Sequence, residues 1–345
     1  MLADDLLGEL RQHLKIDALD YAEPPAKLGG GFFTDNYAFQ LARAPVPWSG
    51  RLVLRLFPAS VSAELAGREA ATQTMLAARG FPAPAVLLFE PASRLDGRQH
   101  FVMEMLPGRP MMGGASVRDI FATGWMLLTR LATTTASIHA DLHRIDPAPL
   151  LAELGDDSIG VPRWFRQLDE QIAKGATGFV AALQWLVANQ PPAPAQLAVC
   201  HGDTWGGNIL VERGEITGLI DWTVVTIADP LLDVGFTTMS LGLAPIDAPR
   251  PIQRAAASVA RRIAARYVRA YAKARDLPGA DADTVRYYEA LRTAVELSGV
   301  AAYRLAEASG EAHDIPRPTW DAIVPDMVRH FHARTGVTIG VPGES

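Results

Sequence analysis

A single cysteine, Cys200, in a chain of 345 residues excludes an intrachain disulfide and any zinc site built on several thiolates. Long apolar runs are also missing. The most apolar stretch, 125–142, is interrupted by Arg130, His139 and Asp141 and falls short of a membrane-spanning segment. Nor is there an excess of positive charge. The 32 Lys and Arg stand against 38 Asp and Glu, for a formal charge of −6, so the chain carries no broad basic field for nucleic acid or anionic lipid. The opening MLADDLLGEL places acids where a secretory signal needs basic residues. These absences lead to the expectation of a cytoplasmic protein with neither nucleic-acid nor membrane partners.

What is present is ample apolar material, 49% of residues, enough to fold a sizeable core in roughly two domains or lobes. The first hundred residues alternate short β-like runs with one good helix. Strands are expected at 26–29, 36–42, 51–57, 85–89 and 99–105, and helices at 2–14 and 62–79, the latter stopped by Gly80 and Pro82. Leu106-Pro107-Gly108-Arg109-Pro110 discourages both helix and strand and reads as a hinge. Beyond it, Ala/Leu/Arg-rich patterns predict helices at 117–142, 163–189, 253–275, 283–308 and 319–334. One β-rich island, 197–226, interrupts them. No internal repeat is found.

The chemistry concentrates in that island, His201-Gly202-Asp203-Thr204-Trp205-Gly206-Gly207-Asn208 followed by two apolar runs around Arg213-Gly214. The pattern predicts an antiparallel hairpin of 209–212 with 215–220. Residues whose numbers sum to about 428 then face each other, which brings Asn208 at the entry near Asp221 at the exit. Amide and carboxylate oxygens suit Mg²⁺ better than zinc. Asp203 lies on a loop whose two glycines let it bend back toward the same site. An acid so placed can accept the proton of an attacking hydroxyl.

The run H-G-D-x-x-x-x-N, a strand pair and then Ile220-Asp221-Trp222 resembles the pattern of the aminoglycoside phosphotransferase and choline-kinase-like family. Asp229-Pro230-Leu231-Leu232-Asp233 is similar to its D-P-x-x-D. The resemblance implies an α+β, two-lobed protein-kinase-like fold. Residues 1–106 would form an N-lobe with a small antiparallel sheet, one main helix and the nucleotide site. Residues 107–345 would form a larger, mostly helical C-lobe holding the catalytic loop, metal site and acceptor-binding helices. It further implies ATP and Mg²⁺ as cofactors, Asp203 as the catalytic base or hydroxyl-orienting acid, and Asn208 and Asp221 as metal ligands. Asp233 would brace the catalytic loop. His201 is expected to fix that loop, His139 to pack, and Cys200 to behave as a small buried hydrophobe. Trp205 stands where many relatives carry histidine, a departure on the acceptor side.

On the nucleotide side, Arg55 occupies the third-strand position of the family's phosphate-binding cation. Leu65, Glu69, Thr72 and Leu76 fall on one helical stripe, so Glu69 points inward and Arg55 is its natural partner. Gly30 and Gly31, within the 29–31 glycine run, sit where the family's turn covers the phosphates. Met103, Glu104 and Met105 enter the hinge, where related kinases offer backbone groups to adenine. The slight excess of cations over residues 234–345 does not advertise a pocket for a polycation. A neutral or weakly cationic small-molecule hydroxyl acceptor is therefore expected. The alternatives are a nonenzymatic nucleotide-binding scaffold of the same fold, or a protein kinase. The latter is disfavoured by Trp222 where D-F-G would require Phe-Gly.

Overall fold

The computed structural model describes residues 2–29, 34–111, 130–155, 159–243, 250–310 and 317–344. The chain divides into two compact units, Met1–Pro110 with Ile209–Thr223, and Met111–Asn208 with Val224–Ser345.

The first unit contains the strands β1 (Asp20–Lys27), β2 (Asp35–Ala42), β3 (Arg51–Leu56), β4 (Val86–Leu88) and β5 (His100–Glu104). They pair antiparallel in the spatial order β1-β2-β3-β5-β4. Alternation along β3 decides what each face receives. Leu52, Leu54 and Leu56 join Phe39, Leu41 and Val102 against Leu6, Leu7 and Leu10 of α1 (Leu2–Leu14). Val53 and the nearby Phe57 turn the other way, with Phe101 and Met103, onto Ala66 and Ala70 of α2 (Ala63–Ala78). Arg55 shares the face of Val53, so a cation is driven into the apolar layer under α2.

Ser62 caps α2, its Oγ accepting from Leu65 N at 3.2 Å. Glu69, Thr72 and Leu76 are buried as their spacing predicts, but Leu65 is exposed, because it occupies the first turn at the capped end. β1 begins at Asp20, well before the expected Ala26. Its Pro24 and Pro25 argue against a strand, yet β1 lies at the sheet edge, where a missing N–H costs no ladder bond. Its register slips on both sides of Glu23.

A second, three-stranded sheet belongs to the same unit: β6 (Arg109–Pro110), β8 (Ile209–Glu212) and β9 (Glu215–Leu219), in that order. The expectation that 106–110 carries no strand is thus corrected at Arg109 and Pro110. Gly108 has φ +97 and approaches so closely that a Cβ there would lie 2.8 Å from Val211 O, and this turn lays Arg109 and Pro110 beside Val211 and Leu210.

The second unit is built on a long central helix, α9 (Ala282–Ser309), flanked by α5 (Pro162–Ala173), α6 (Val180–Ala188), α7 (Leu231–Gly242) and α10 (Val324–Thr335). Leu291, Ala294 and Leu297 of α9 form one core with Trp164, Leu186, Leu232, Phe236 and Phe331. At Gly235 a Cβ would lie 2.4 Å from Tyr288 Cβ, so α7 and α9 cross at a distance only glycine permits. A second cluster joins Ala136 of α3 (Ala132–Leu142), Val234, and Tyr267 and Tyr271 of α8 (Arg250–Ala274). A short antiparallel pair, β7 (Ala198–Cys200) with β10 (Thr226–Ala228), lies beside them.

Several helices differ from expectation. The helix expected over 163–189 is two, α5 and α6, parted by Gly175 at φ +110 and a 3-10 turn at Thr177–Phe179. Gly178 in that turn packs on Gly340, whose O would stand 2.2 Å from an added Cβ. The helix expected over 319–334 is likewise a 3-10 turn followed by α10. Two helices, α4 (Ala148–Leu154) and α7, have no counterpart in the sequence expectation. The 117–129 part of the helix expected over 117–142 lies outside the described residues.

Candidate active site

In the first unit the expected hairpin forms. Ile209 faces Leu219 and Leu210 faces Gly218, after which a bulge shifts the pairing to Val211 with Ile216 and Glu212 with Glu215. Arg213 and Gly214 turn at φ +51 and +91, the paired left-handed conformation that two-residue hairpins favour. Past β9, Trp222 anchors the ribbon. Its indole is fully buried edge-on to Phe81, and Nε1 donates to Leu219 O at 2.9 Å. Asp221, immediately before it, has φ +66 and keeps 41% of its side chain exposed.

Arg55, 5% exposed, joins two acids of this unit. Its Nε lies 3.1 Å from Glu69 Oε1, and its Nη2 donates to Asp221 Oδ1 at 2.7 Å. Nη2 also donates to Thr223 Oγ1 at 2.9 Å, which stands 2.7 Å from Asp221 Oδ1. Gln73 Nε2 donates to Glu69 Oε1 at 3.1 Å. Burial pushes the Glu69 carboxyl up to about 7 against the pull of the Arg55 guanidinium. Without the guanidinium beside it, burial would drive this carboxyl higher still. Thr223 escaped the sequence reading, although its place two residues after an Asp is a spacing at which a hydroxyl and a carboxylate meet.

In the second unit the loop after β7 is held from below by Asp233, which is buried on α7. Its Oδ2 accepts from His201 N at 2.8 Å and its Oδ1 from Gly202 N at 2.7 Å. His143 Nε2 donates to Oδ2 at 3.1 Å, which leaves His143 Nδ1 to accept from Tyr271 OH at 2.8 Å. Burial alone would raise the Asp233 carboxyl, but the surrounding histidines hold it well below the usual carboxylate range. Gly202 has φ +78 and would bring a Cβ within 2.8 Å of Val224 O. His201 Nδ1 accepts from Asp203 N at 3.2 Å, so His201 does fix the loop. Cys200 is buried, and burial raises its thiol well above the ordinary range. The Cys200 thiol, His143 and Asp233 cluster within 4.8 Å, but the Asp233 oxygens are already given to backbone amides.

Asp203 and Asn208 meet on this loop. Asn208 Nδ2 donates to Asp203 O at 2.9 Å and lies 3.4 Å from Asp203 Oδ2. With the amide nitrogen committed, the amide oxygen is the pole left to meet a cation. Arg292 of α9 donates from Nη1 to Gly202 O at 3.0 Å and from Nη2 to Asp203 Oδ1 at 2.5 Å, and Glu296 Oε1 lies 2.6 Å from the same Nη2. Sequence reading missed both. The available signal was an Arg and a Glu four apart inside the apolar run 290–301.

The structure therefore brings Arg55, Glu69 and Asp221 together in one unit, and Asp203 with Asn208 in the other. Met103 is buried on β5, while Glu104 N donates to Ala85 O at 2.9 Å and Met105 N to Arg51 O at 3.0 Å, so the sheet has claimed two hinge amides. Gly30 and Gly31 lie outside the described residues. The amide oxygen of Asn208 and the half-exposed carboxylate of Asp221 are each hard oxygen donors of the kind Mg²⁺ takes.

His139 supplies a test of the network beneath the loop. Its Nδ1 lies 2.6 Å from Tyr267 OH, and burial, opposed by Asp233, pulls the imidazole down to about 3. An unfolded histidine takes its proton near pH 6.5, so His139 contributes stability that is complete above that pH and is lost as pH falls toward 3. The expected loss is about 1.4 kcal/mol per pH unit below 6.5 from this group. Urea melts at pH 7 and pH 5 should show a flatter pH slope for His139→Gln than for the wild type. Equal slopes would exclude His139 as the source.

A family model described as phosphotransferase enzyme family matches residues 26–277. Among curated proteins, 184 residues, 52% of this chain, are 27% identical to acyl-CoA dehydrogenase family member 11 of Gallus gallus and cover 24% of it. A mouse relative, acyl-CoA dehydrogenase family member 10, is covered over 18% of its length, so the chain spans only a fraction of these proteins. Among solved structures, a protein assigned as an aminoglycoside phosphotransferase from Ralstonia eutropha superposes with a TM-score of 0.64 at 18% identity, covering 97% of this chain and 98% of that one. An aminoglycoside phosphotransferase in complex with AMP-PNP and hygromycin B gives 0.56 at 13% identity, with 97% and 98% covered. These likenesses establish the α+β, kinase-like phosphotransferase fold.

Proposed function

Because this chain belongs to the phosphotransferase enzyme family, we propose that it transfers the γ-phosphoryl group of ATP, with Mg²⁺, to a hydroxyl of a small molecule. The observation that carries this reading is the Arg55 guanidinium buried between Glu69 and Asp221. It places a fixed cation beside a carboxylate that stays half exposed, the pairing a triphosphate and its metal require.

Arg55 binds phosphate oxygens, and Glu69 orients it. Asn208 and Asp221 would hold Mg²⁺, which when bound neutralises charge on the phosphates. Asp203 accepts the hydroxyl proton as the acceptor oxygen forms its bond to the γ-phosphorus and the bond from that phosphorus to the leaving oxygen of ADP breaks. With the amides of Glu104 and Met105 held in the sheet, adenine recognition falls to carbonyl groups of Met103–Met105. Gly30 and Gly31 would cover the phosphates. Trp222 is locked in the core on Phe81, which disfavours a protein-kinase role for this segment.

The partners in this reading are a nucleotide and a neutral or weakly cationic hydroxyl compound in the cytoplasm, with no nucleic acid and no membrane. Among the described residues no helix is long and apolar enough to cross a membrane. The solved relative that holds AMP-PNP and hygromycin B together supports one nucleotide site and one small-molecule site. The test is incubation with Mg·ATP and a panel of sugars, amino alcohols, aminoglycosides and macrolides, read by mass spectrometry. A phosphorylated panel member with matching ADP is expected. Absence of nucleotide binding in the presence of Mg²⁺ would overturn the proposal.

A further inference from the structure

We infer that Arg292 is a positioning residue for the transfer step: its guanidinium fixes the Asp203 carboxylate in the orientation that receives the acceptor hydroxyl, and Glu296 holds the guanidinium in place. This inference rests on the phosphotransferase reading of the same site.

Arg292 sits in the middle of α9, in a stretch whose neighbours Leu291, Ala294, Val295 and Leu297 are all buried. A guanidinium in such a place is costly unless acids and carbonyls compensate it. Burial works against its charge, and Glu296 and then Asp203 sustain it. The compensation is specific. Spacing by four residues stacks Glu296 on the same helical face, and its Oε1 lies 2.6 Å from Nη2. The Phe236 ring lies 5.2 Å from Cζ, closing one side of the guanidinium with a π face.

The two nitrogens of the fork then grip consecutive residues of the loop. Nη1 takes the Gly202 carbonyl at 3.0 Å, and Nη2 takes Asp203 Oδ1 at 2.5 Å. One planar group thereby fixes a backbone position and the adjacent side-chain torsion together, which a lysine ammonium cannot reproduce. The other restraints described on this loop act mainly on its backbone, apart from Asn208 Nδ2, which also lies 3.4 Å from Asp203 Oδ2. Asp233 holds the amides of residues 201 and 202, and Asn208 bonds chiefly to the Asp203 backbone carbonyl. Asp203 nevertheless keeps 32% of its side chain exposed. The carboxylate is held yet reachable, as a group meeting an incoming hydroxyl must be.

A purely structural Arg292 would pin α9 to the loop, and its loss would lower stability, nucleotide affinity and turnover together. A positioning role separates them. The experiment compares wild type, Arg292→Lys, Arg292→Met and Glu296→Gln. It measures affinity for a fluorescent ATP analogue with Mg²⁺, the slow hydrolysis of Mg·ATP in which water replaces the acceptor, and the crystal structure of Arg292→Met. Expected are a fall in hydrolysis kcat of about 10²-fold for Met and about 10-fold for Lys, a smaller fall for Glu296→Gln, and nucleotide affinity unchanged within about twofold. The Asp203 carboxylate should occupy a different rotamer in Arg292→Met. Wild-type turnover in either Arg292 variant, a loss of affinity that parallels the loss of kcat, or an unmoved Asp203 carboxylate would overturn the inference. Should Arg292→Met not fold, the charge-retaining Lys variant decides by the same criteria. A wild-type protein that neither binds the analogue nor hydrolyses ATP removes the phosphotransferase reading and this inference with it. Normal wild-type binding and hydrolysis with unaffected Arg292 variants removes the inference alone.

Discussion

Asp233→Asn is expected to cost about 3–5 kcal/mol of folding stability, the range for removing one partner of a buried charged network. The carboxylate is only 1% exposed and uses both oxygens: one receives Gly202 N, the other His201 N and His143 Nε2. An amide of the same shape must turn its NH₂ toward at least one of these donors, leaving a buried N–H facing a buried N–H. It also removes the anion beside His143 and His139. Chemical denaturation at pH 7 reads the effect directly. Turnover should fall as well, because the displaced amides immediately precede Asp203. A variant within about 1 kcal/mol of wild type would show that the loop does not depend on this brace.

How far the sequence foretold these features follows from the range of the interactions involved. The Arg55–Glu69 pair was legible because helical spacing, a local periodicity, turns Glu69 inward and the third-strand position of Arg55 offers it a cation, and the structure has them at 3.1 Å. The hairpin 209–219 was legible for the same reason, apart from the bulge after Leu210. Asp233 could be read only through a motif, and the helix that carries it was not foreseen. Residues 231–242 are buried or half-buried throughout, Asp233 and Thr237 as well as Leu232, Val234, Phe236 and Met239, and a segment buried all round has no solvent face to betray its period.

What escaped altogether depends on contacts distant in the chain. Nothing near Arg292 announces that it meets a loop some ninety residues earlier. The break between α5 and α6 is set by Gly178 against Gly340, which no local window contains. The strand β1 hides behind two prolines that only an edge position tolerates. Glu69 and Asp221 also differ in a way that spacing does not show. Glu69 is sealed and pushed up to about 7, whereas Asp221 touches the same guanidinium with 41% of its side chain still exposed. Of two acids sharing one cation, only the exposed one can offer oxygen to an incoming ligand.

Asp203→Asn should show the opposite balance from Asp233→Asn: little loss of stability and a large loss of activity. Asp203 is a third exposed, so water can solvate the amide that replaces it. Arg292 keeps Glu296 and the Gly202 carbonyl as partners, so no buried charge is stranded. The chemistry suffers because an amide oxygen cannot take the hydroxyl proton. The expected fall in kcat is about 10²- to 10⁴-fold, measured with whichever acceptor of the panel yields product. Nucleotide affinity should stay within about twofold, since Arg55 and Glu69 are untouched and lie in the other unit. Equal kcat in the two proteins would remove Asp203 from the proton transfer. A parallel loss of nucleotide affinity would instead assign Asp203 to the metal, because a carboxylate that ligates Mg²⁺ contributes to holding the triphosphate before any proton moves.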